Sequence, residues 1–456
     1  MTHHAANLES LPQRLAQVAS LANKTRLSLP FVIDIPLTDM GVIDWLAVQP
    51  TKPKFYWCGR SREMEIGGVG VGYKPTLNNL SSIVNIEKIL TLLHDKNLFF
   101  VGGRCFDPMR KRDELWKSFP QEIFYIPQHA IIKQDGKCRY CYCVTINPGD
   151  CPEEKIKLIN EEINKPEIGF RSKPVSKTFP PPTKTEFNPD RDKWQSQVLK
   201  ILQAIDSDNI EKLVLARRTD YHFDEMTDPF ELLLQLKIKH QHGFRVLYQV
   251  ESGETFISVT PERLYRRDGR QLQIDALSST TARGQTEAED REREREFIHD
   301  NKELREHDYV IRGILRSIEP LCSQKPTAGK TSLLKLERIQ HMRTELTARL
   351  KSSVGDSDVI ESLHPTPAVG GVPTLPGLAM IRQMESFDRG WYAAPVGFVS
   401  FARAEFAVAI RSLLMRDKVV SVFTGAGIVR GSDAEKEWRE LESKDILCPF
   451  FPGVIT

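Results

Sequence analysis

Three residues near the C-terminus, Glu437, Glu440 and Lys444, are spaced i, i+3 and i+7 in the segment DAEKEWRELESK. On a helix that spacing puts them on one face. Two carboxylates and an ammonium so arranged read, by spacing alone, as a surface ion ladder before they read as anything else. Trp438 and Leu441 turn to another face and can anchor the helix. Two more ionisable residues sit in apolar company. Lys212 begins KLVLAR, with Val214 and Ala216 on its own face and Leu213 and Leu215 on the other, so the strand reads as buried on both sides. Lys212 itself stands near the strand's beginning, where a lysine ordinarily reaches solvent. Glu262 follows Pro261 in TPERL and, as bare sequence, is a strand glutamate that pairs with Arg263 or a neighbour. Glu306 falls in a long run of alternating charges whose default reading is a solvated helix face.

Several elements must position these groups. WQSQVLKILQAIDSD has helical periodicity, KLVLARRTDYHF reads as a strand, and DPFELLLQLKIKH as a helix capped by Asp228 with Pro229 at its first position. FRVLYQV, ETFISVTPERLYRRDG and QLQIDAL read as strands. The charged run from Ala288 is expected to continue as one helix to about Glu319, with Phe297, Leu304, Ile311, Leu315 and Ile318 as its main apolar stripe. Strands are expected at 396–401, 405–413 and 418–424, after a proline- and glycine-rich loop at 364–377, and a last helix from near Asp433. The first half holds glycine-rich strand segments, KFYWCGR, GGVGVGY, LFFVGGRCF and EIFYIPQHAIIKQ. GGVGVGY lacks the strand–GxGxxG–helix setting of a dinucleotide site. Short strands in hairpins, interrupted by long helices, argue α+β and not a parallel βαβ fold.

The 456 residues carry 63 Lys and Arg against 61 acids, a balance that gives no argument for nucleic acid. The longest apolar runs are far short of a membrane span, and the N-terminus lacks the order of a secretory signal, so a cytoplasmic protein is expected. Eight cysteines are too sparse for a disulfide scaffold. Cys138, Cys141 and Cys143 in CRYCYC read as packed strand residues in preference to a structural metal site.

The segments EKLVLAR, TPERL, RGQTEAEDRERE, ELREHDYV, HPTPAVGG, WYAAPVG, FAVAIRS and GAGIVRGSDAEKEWRELESK resemble, in order and spacing, the chorismate-utilising enzymes. The resemblance is specific from about 195 to 446 and weaker from 50 to 135. It implies a single large α+β domain with two antiparallel sheets at its core and helices around them. Residues 1–192, including a loop-rich connection at 144–192, are then the N-terminal part of that fold, and 193–456 the chorismate-binding catalytic region. Ala276 and Leu277 stand where isochorismate synthases have Ala-Leu and anthranilate-type enzymes more often Pro-Ile.

The resemblance assigns roles residue by residue. Lys212 matches the general base and Glu262 the general acid. Glu306 and Glu440 match Mg²⁺ ligands, with Glu437 assisting. Arg411 and Tyr392 match contacts to the pyruvyl carboxylate, beside the backbone N–H groups of Gly425 and Gly427. Leu277, Thr280, Lys444, His341 and His364 complete the expected substrate contacts, with loop fastening as the other reading of the two histidines. The implied reaction is Mg²⁺-dependent conversion of chorismate to isochorismate for menaquinone or phylloquinone, by a monomer or homodimer without a glutamine amidotransferase subunit. A salicylate synthase, which goes on to eliminate pyruvate, is the nearest alternative, and a catalytically weakened binding or regulatory homologue is another. Two positions depart from the family pattern: Ser279 and Ala394 stand where it usually has glycine.

Overall fold

The computed structural model describes residues 11–75, 82–95, 97–163, 179–240, 242–335 and 339–451, without the side chains of Ser82, Ser279, Thr280, Lys302, Glu306 and Pro449. Its apolar strand segments pair into two antiparallel sheets, as expected for the α+β class. The larger runs in the order Leu29–Leu37, Lys137–Ile146, His129–Gln134, Met64–Val69, Lys54–Cys58, Phe244–Gln249, Thr255–Thr260, Ser412–Arg416, Val419–Val429, Lys212–His222 and Gly371–Val372. Lys184–Asn188 pairs beside Lys212–His222. The smaller sheet runs Thr327–Ala328, Ile339–Arg349, Gln271–Ala282, Arg263–Asp268, Arg403–Val408, Pro395–Val399, Phe100–Arg104 and Glu122–Tyr125, with Ser332–Lys335 beside Ile339–Arg349. The first 192 residues thus supply strands to both sheets. Within 144–192 the chain forms the end of one strand, the helix Pro152–Glu162, the strand Lys184–Asn188 and the start of the helix Arg191–Asp206. Among the described residues no helix is long and apolar enough to cross a membrane.

Three elements differ from the sequence expectation, each for a physical reason. ETFISVTPERLYRRDG is two strands, Thr255–Thr260 and Arg263–Asp268, which belong to different sheets. Pro261 has no N–H to give a ladder, and the chain changes sheet there. The expected strand 405–413 is likewise two, Arg403–Val408 and Ser412–Arg416, again in different sheets. Arg411 lies in the bend between them with φ of +50°. The two crossovers bond to each other: Val408 N donates to Glu262 O at 3.1 Å, Thr260 Oγ1 to Val408 O at 2.7 Å, and Val259 N to Arg411 O at 3.0 Å. The charged run forms two helices, Glu287–His299 and Asn301–Ile318, broken at Asp300. Asp300 has an extended backbone, and its carboxylate accepts from Glu303 N to start the second helix. The break resets the helical phase after Phe297. The buried face of the second helix is therefore His307, Val310, Ile314 and Ile318, and Leu304 is exposed.

One buried ion pair ties the sheets to the loops above them. Arg389 Nε donates to Glu385 Oε2 at 2.9 Å, and both side chains are shut off from solvent. The remaining donors of Arg389 reach Val214 O at 2.8 Å and Val369 O at 2.7 Å. Ala216 N donates to Glu385 Oε1 at 2.9 Å. The guanidinium lies 4.3 Å from the Phe106 ring and 5.7 Å from the Tyr392 ring. A buried pair with all its donors used is costly to break singly, because the surviving charge stays buried. Glu385→Gln and Arg389→Met are each expected to lower stability by roughly 3–5 kcal/mol. The double variant Glu385→Leu/Arg389→Met should lose less than the sum, since no lone charge remains. Urea unfolding midpoints of the three variants measure this.

Candidate active site

The carboxylates, the buried lysine and the arginine meet in one cavity of about 160 Å³. The Lys212–His222 strand supplies Lys212 and Val214 to its wall. This strand pairs along its whole length with Val419–Val429, which sets Lys212 opposite Val429, Val214 opposite Gly427 and Ala216 opposite Gly425. Phe423, Thr424, Gly425 and Gly427 therefore line the cavity from the partner strand. Glu262 and Arg411 enter from the two crossovers, and Leu277 and Ser278 from the strand Gln271–Ala282. His341 comes from the neighbouring strand, opposite Thr280 in register. The closing helix Ala434–Ser443, capped by Asp433 on Lys436 N, presents Glu437 and Glu440, with Lys444 at its end. Its Trp438 and Leu441 are buried on the other side, as the i, i+3 spacing requires.

Glu262 is buried, and burial pushes its carboxyl up to about 8, with the charge of Asp275 adding to the effect. Thr366 Oγ1 donates to its Oε1 at 3.4 Å, a weak bond that pulls the other way, as do the Lys212 and Lys444 charges. Lys212 is buried in the same wall. The guanidinium of Arg411 is lowered to about 10 by burial, against the attraction of Glu440. Tyr392 stacks on Phe423 with ring centroids 5.6 Å apart, and burial holds its phenol protonated well above the usual value. Its hydroxyl would lie 2.5 Å from a Cβ at position 425, so Gly425 is glycine because Tyr392 occupies that space.

On the closing helix, Lys444 Nζ is 2.5 Å from Glu440 Oε1 and donates to Gly425 O at 3.0 Å. Burial and the neighbouring Glu440 charge push the Glu437 carboxyl up. Burial also works against Glu440, but Lys444, Glu437 and Arg411 hold that carboxylate down. The two carboxyls hydrogen-bond to each other, which such groups do by sharing a proton. A divalent cation satisfies the same pair without the proton. Glu303 lines the cavity as well, so the donors are all oxygen, the set that suits Mg²⁺. Among the described residues no group of three or more His, Cys, Asp or Glu is arranged to hold a metal.

Most of the expected contacts therefore share one cavity, and some do not. His364 is buried off its wall: its Nε2 donates to Phe106 O at 2.8 Å, and burial holds its imidazole neutral with a pKa of about 3. It secures the loop that carries Thr366, Ala368 and Val369 to the site. Glu306 and Thr280 lie on the expected helix and strand, but their side chains fall outside the described residues. Arg411 sits in a bend and not in a strand. Of the two departures, Ser279 falls at a shift of register between Ser278 and Thr280. Ala394 is fully buried, does not line the cavity, and has no left-handed backbone; that conformation belongs to Ala393, at φ of +60°. Cys141 and Cys143 are buried strand residues whose thiols burial pushes up, to about 12 for Cys141.

Glu303 and Ser278 were not singled out by their sequence. Glu303 is four residues before His307, so it lies on the helix face turned to the sheet; its spacing from Val310 and Ile314, off the centre of the expected stripe, is the signal for that face. Ser278 Oγ is 2.6 Å from His307 Nδ1, and His307 Nε2 is 2.7 Å from Thr344 Oγ1, which fixes that helix to both strands beneath it.

Residues 14–446 match the model of a family described as chorismate binding enzyme. The isochorismate synthase MenF of Pasteurella multocida is 28% identical, over 96% of this chain and 96% of its own. The isochorismate synthase MenF of Bacillus subtilis is 31% identical over 90% of this chain and 89% of its own. Among solved structures, MenF from Escherichia coli, the menaquinone-specific isochorismate synthase, superposes with a TM-score of 0.82 at 25% identity, covering 98% of this chain and 100% of that one.

The contact between Gly425 and Tyr392 gives a direct test of the cavity wall. Gly425→Ala is expected to destabilise the chain by about 1–3 kcal/mol, the usual cost of overpacking. Adding Tyr392→Phe removes the clashing oxygen and should recover part of that loss. Melting temperatures of the two single variants and the double variant give the coupling.

Proposed function

We propose that this chain, which belongs to the chorismate binding enzyme family, is an isochorismate synthase: it isomerises chorismate to isochorismate with Mg²⁺. The observation that carries this reading is the pairing of Glu262, a carboxyl kept protonated to about pH 8, with the buried Lys212 in one cavity, in a chain matched along its length by isochorismate synthases. The menaquinone branch is the one we favour, because the solved Escherichia coli relative is menaquinone-specific.

The chemistry needs a base, an acid and neutralisation of two carboxylates. Lys212 takes a proton from water as the water oxygen bonds to C2 of the ring. The two ring double bonds shift, and the C4–O bond breaks. Glu262 gives its proton to the departing hydroxyl, so one water enters and one leaves. Arg411 grips the pyruvyl carboxylate bidentately, with Tyr392 and the backbone of Gly425 and Gly427 beside it. Leu277 and His341 bound the ring side. Glu440, Glu437 and Glu306 are the residues that would hold Mg²⁺, and the ion, when bound, neutralises the ring carboxylate against those glutamates. Lys444 adds positive charge at the same end. The Thr366 hydroxyl, donating to Oε1 of Glu262, leaves Oε2 as the oxygen that carries the acid proton.

Purified protein with chorismate and Mg²⁺ is expected to form isochorismate, and EDTA to stop it; product chromatography decides. Unchanged chorismate at saturating Mg²⁺ would overturn the proposal. Salicylate and pyruvate as the main products would make the chain a salicylate synthase. Lys212→Ala should lower kcat about 10²–10⁴-fold with little change in chorismate binding, because the amine acts where the water loses its proton. Glu262→Gln should lower kcat in both directions and leave the equilibrium unchanged.

The raised carboxyl also sets a pH dependence. Glu262 acts as an acid only while protonated, so kcat is expected to fall as pH rises through about 8. Stability runs the same way. The unfolded glutamate ionises near its ordinary value of 4.5, whereas the folded one keeps its proton to about 8, so folding loses stability as pH rises across that window. Glu262→Gln removes the effect. Its melting temperature relative to that of the unaltered chain should rise between pH 5 and pH 8, and a flat difference would show that Glu262 ionises normally.

A further inference from the structure

Arg217 is fully buried, and none of its three guanidinium nitrogens has a hydrogen-bond partner among the described residues. Burying unpaired N–H groups and a charge is costly, and a Met or Leu of similar volume would pack there at less cost. The guanidinium instead lies 4.3 Å from the Trp438 ring and 5.0 Å from the Phe187 ring, two rings that meet edge to face 5.5 Å apart. Trp438 belongs to the closing helix, and Glu437 and Glu440 stand on either side of it in sequence. The helix ends have their own fastenings: Trp194 Nε1 donates to Ala434 O at 3.0 Å at one end, and Lys444 reaches Gly425 O at the other. Its middle rests on Trp438 and Leu441. Arg217 lies on the same strand as Lys212, opposite Thr424 of the cavity wall.

We propose that Arg217 is a positioning residue for the cation site: through Trp438 it fixes the turn of the closing helix that carries Glu437 and Glu440, and so couples the strand of the base to the helix of the carboxylates. The inference rests on the reading of those glutamates as the Mg²⁺ side of the cavity. Cation–π attraction to these rings, together with the charges of Asp445 and Glu442, offsets the missing hydrogen bonds, and the planar contact fixes the indole more narrowly than an apolar contact does. Lysine keeps the charge but lacks the flat face that lies against the indole.

The sign of the effect separates this role from simpler ones. A buried positive charge near the site repels Mg²⁺, so if charge were the only link, Arg217→Met would bind Mg²⁺ more tightly and Arg217→Lys would bind it unchanged. If Arg217 served only general stability, both variants would melt lower with Mg²⁺ affinity intact. Positioning predicts a third pattern: Arg217→Met binds Mg²⁺ about 10–100-fold more weakly, the usual scale for a residue behind a metal ligand, and Arg217→Lys recovers part of the loss. The full-length chain is titrated with Mg²⁺ alone, read by calorimetry and by the rise in melting temperature, in parallel with the Mg²⁺ half-saturation of turnover. Trp438→Leu should weaken binding similarly, and combining it with Arg217→Met should add little, since both break one link. Unchanged or tighter Mg²⁺ binding in Arg217→Met, with the unaltered chain binding normally, overturns the positioning role. Absence of Mg²⁺ binding by the unaltered chain overturns it together with the reading of the glutamates.

Discussion

The arrangement of the cavity depends on one buried contact, the ion pair between Arg389 and Glu385. Its donors and acceptors are shared with Val214 and Ala216 of the strand that carries Lys212, with Val369 of the loop beside Glu262, and with the rings of Phe106 and Tyr392. A buried charge pair adds little net stability over a well-packed apolar pair. Its value lies in direction: five donors in a rigid fork accept few alternative arrangements. Here they hold a strand, a loop and an aromatic ring to a common position, and each of those elements places a group at the cavity.

The second constraint is the pair of crossovers between the sheets. Glu262 and Arg411 are both set where the chain leaves one sheet for the other, and the crossovers hydrogen-bond to each other. A side chain inside a strand must point to one of two faces. One in a crossover is free of that alternation, and it can be aimed at a cavity between the sheets. The left-handed backbone at Arg411 is the conformational cost of that aim. The same site keeps Glu262 far from its ordinary ionisation and Glu437 and Glu440 apart in theirs, so the cavity stores electrostatic free energy that the fold elsewhere must supply.

Much of this was legible in the residues. The Glu437–Glu440–Lys444 face and the Trp438–Leu441 anchor follow from helical spacing alone, and the closing helix bears them where expected. The buried strand at Lys212 follows from its two apolar faces. What escaped was governed by tertiary connection. Pro261 was visible, but nothing local says that the strands before and after it join different sheets. The break at Asp300 shifts the buried face of the following helix: Leu304 of the expected stripe is exposed, Ile318 is buried and Ile311 and Leu315 pack against the core, while Val310 and Ile314, off the stripe's centre, are the most covered with it. His364 is open to two readings in the sequence, pocket wall or loop fastening, because its motif lies beside the site, and only the long-range contact decides for the second. Its imidazole ties the loop to Phe106, a contact 258 residues distant in the chain.

The order of strands in the larger sheet has a consequence for synthesis of the protein. Lys212–His222 has as its long neighbour Val419–Val429, more than two hundred residues downstream. At ribosomal rates of ~5–20 residues per second, that hydrophobic edge waits roughly ten seconds or more for its partner. Until the last stretch of chain emerges, the apolar strand has an open hydrogen-bonding edge, the kind of surface that pairs with other chains. The nascent protein therefore passes through a long aggregation-prone interval, and shielding by a chaperone or by the early strands is a requirement of its topology and not of its chemistry.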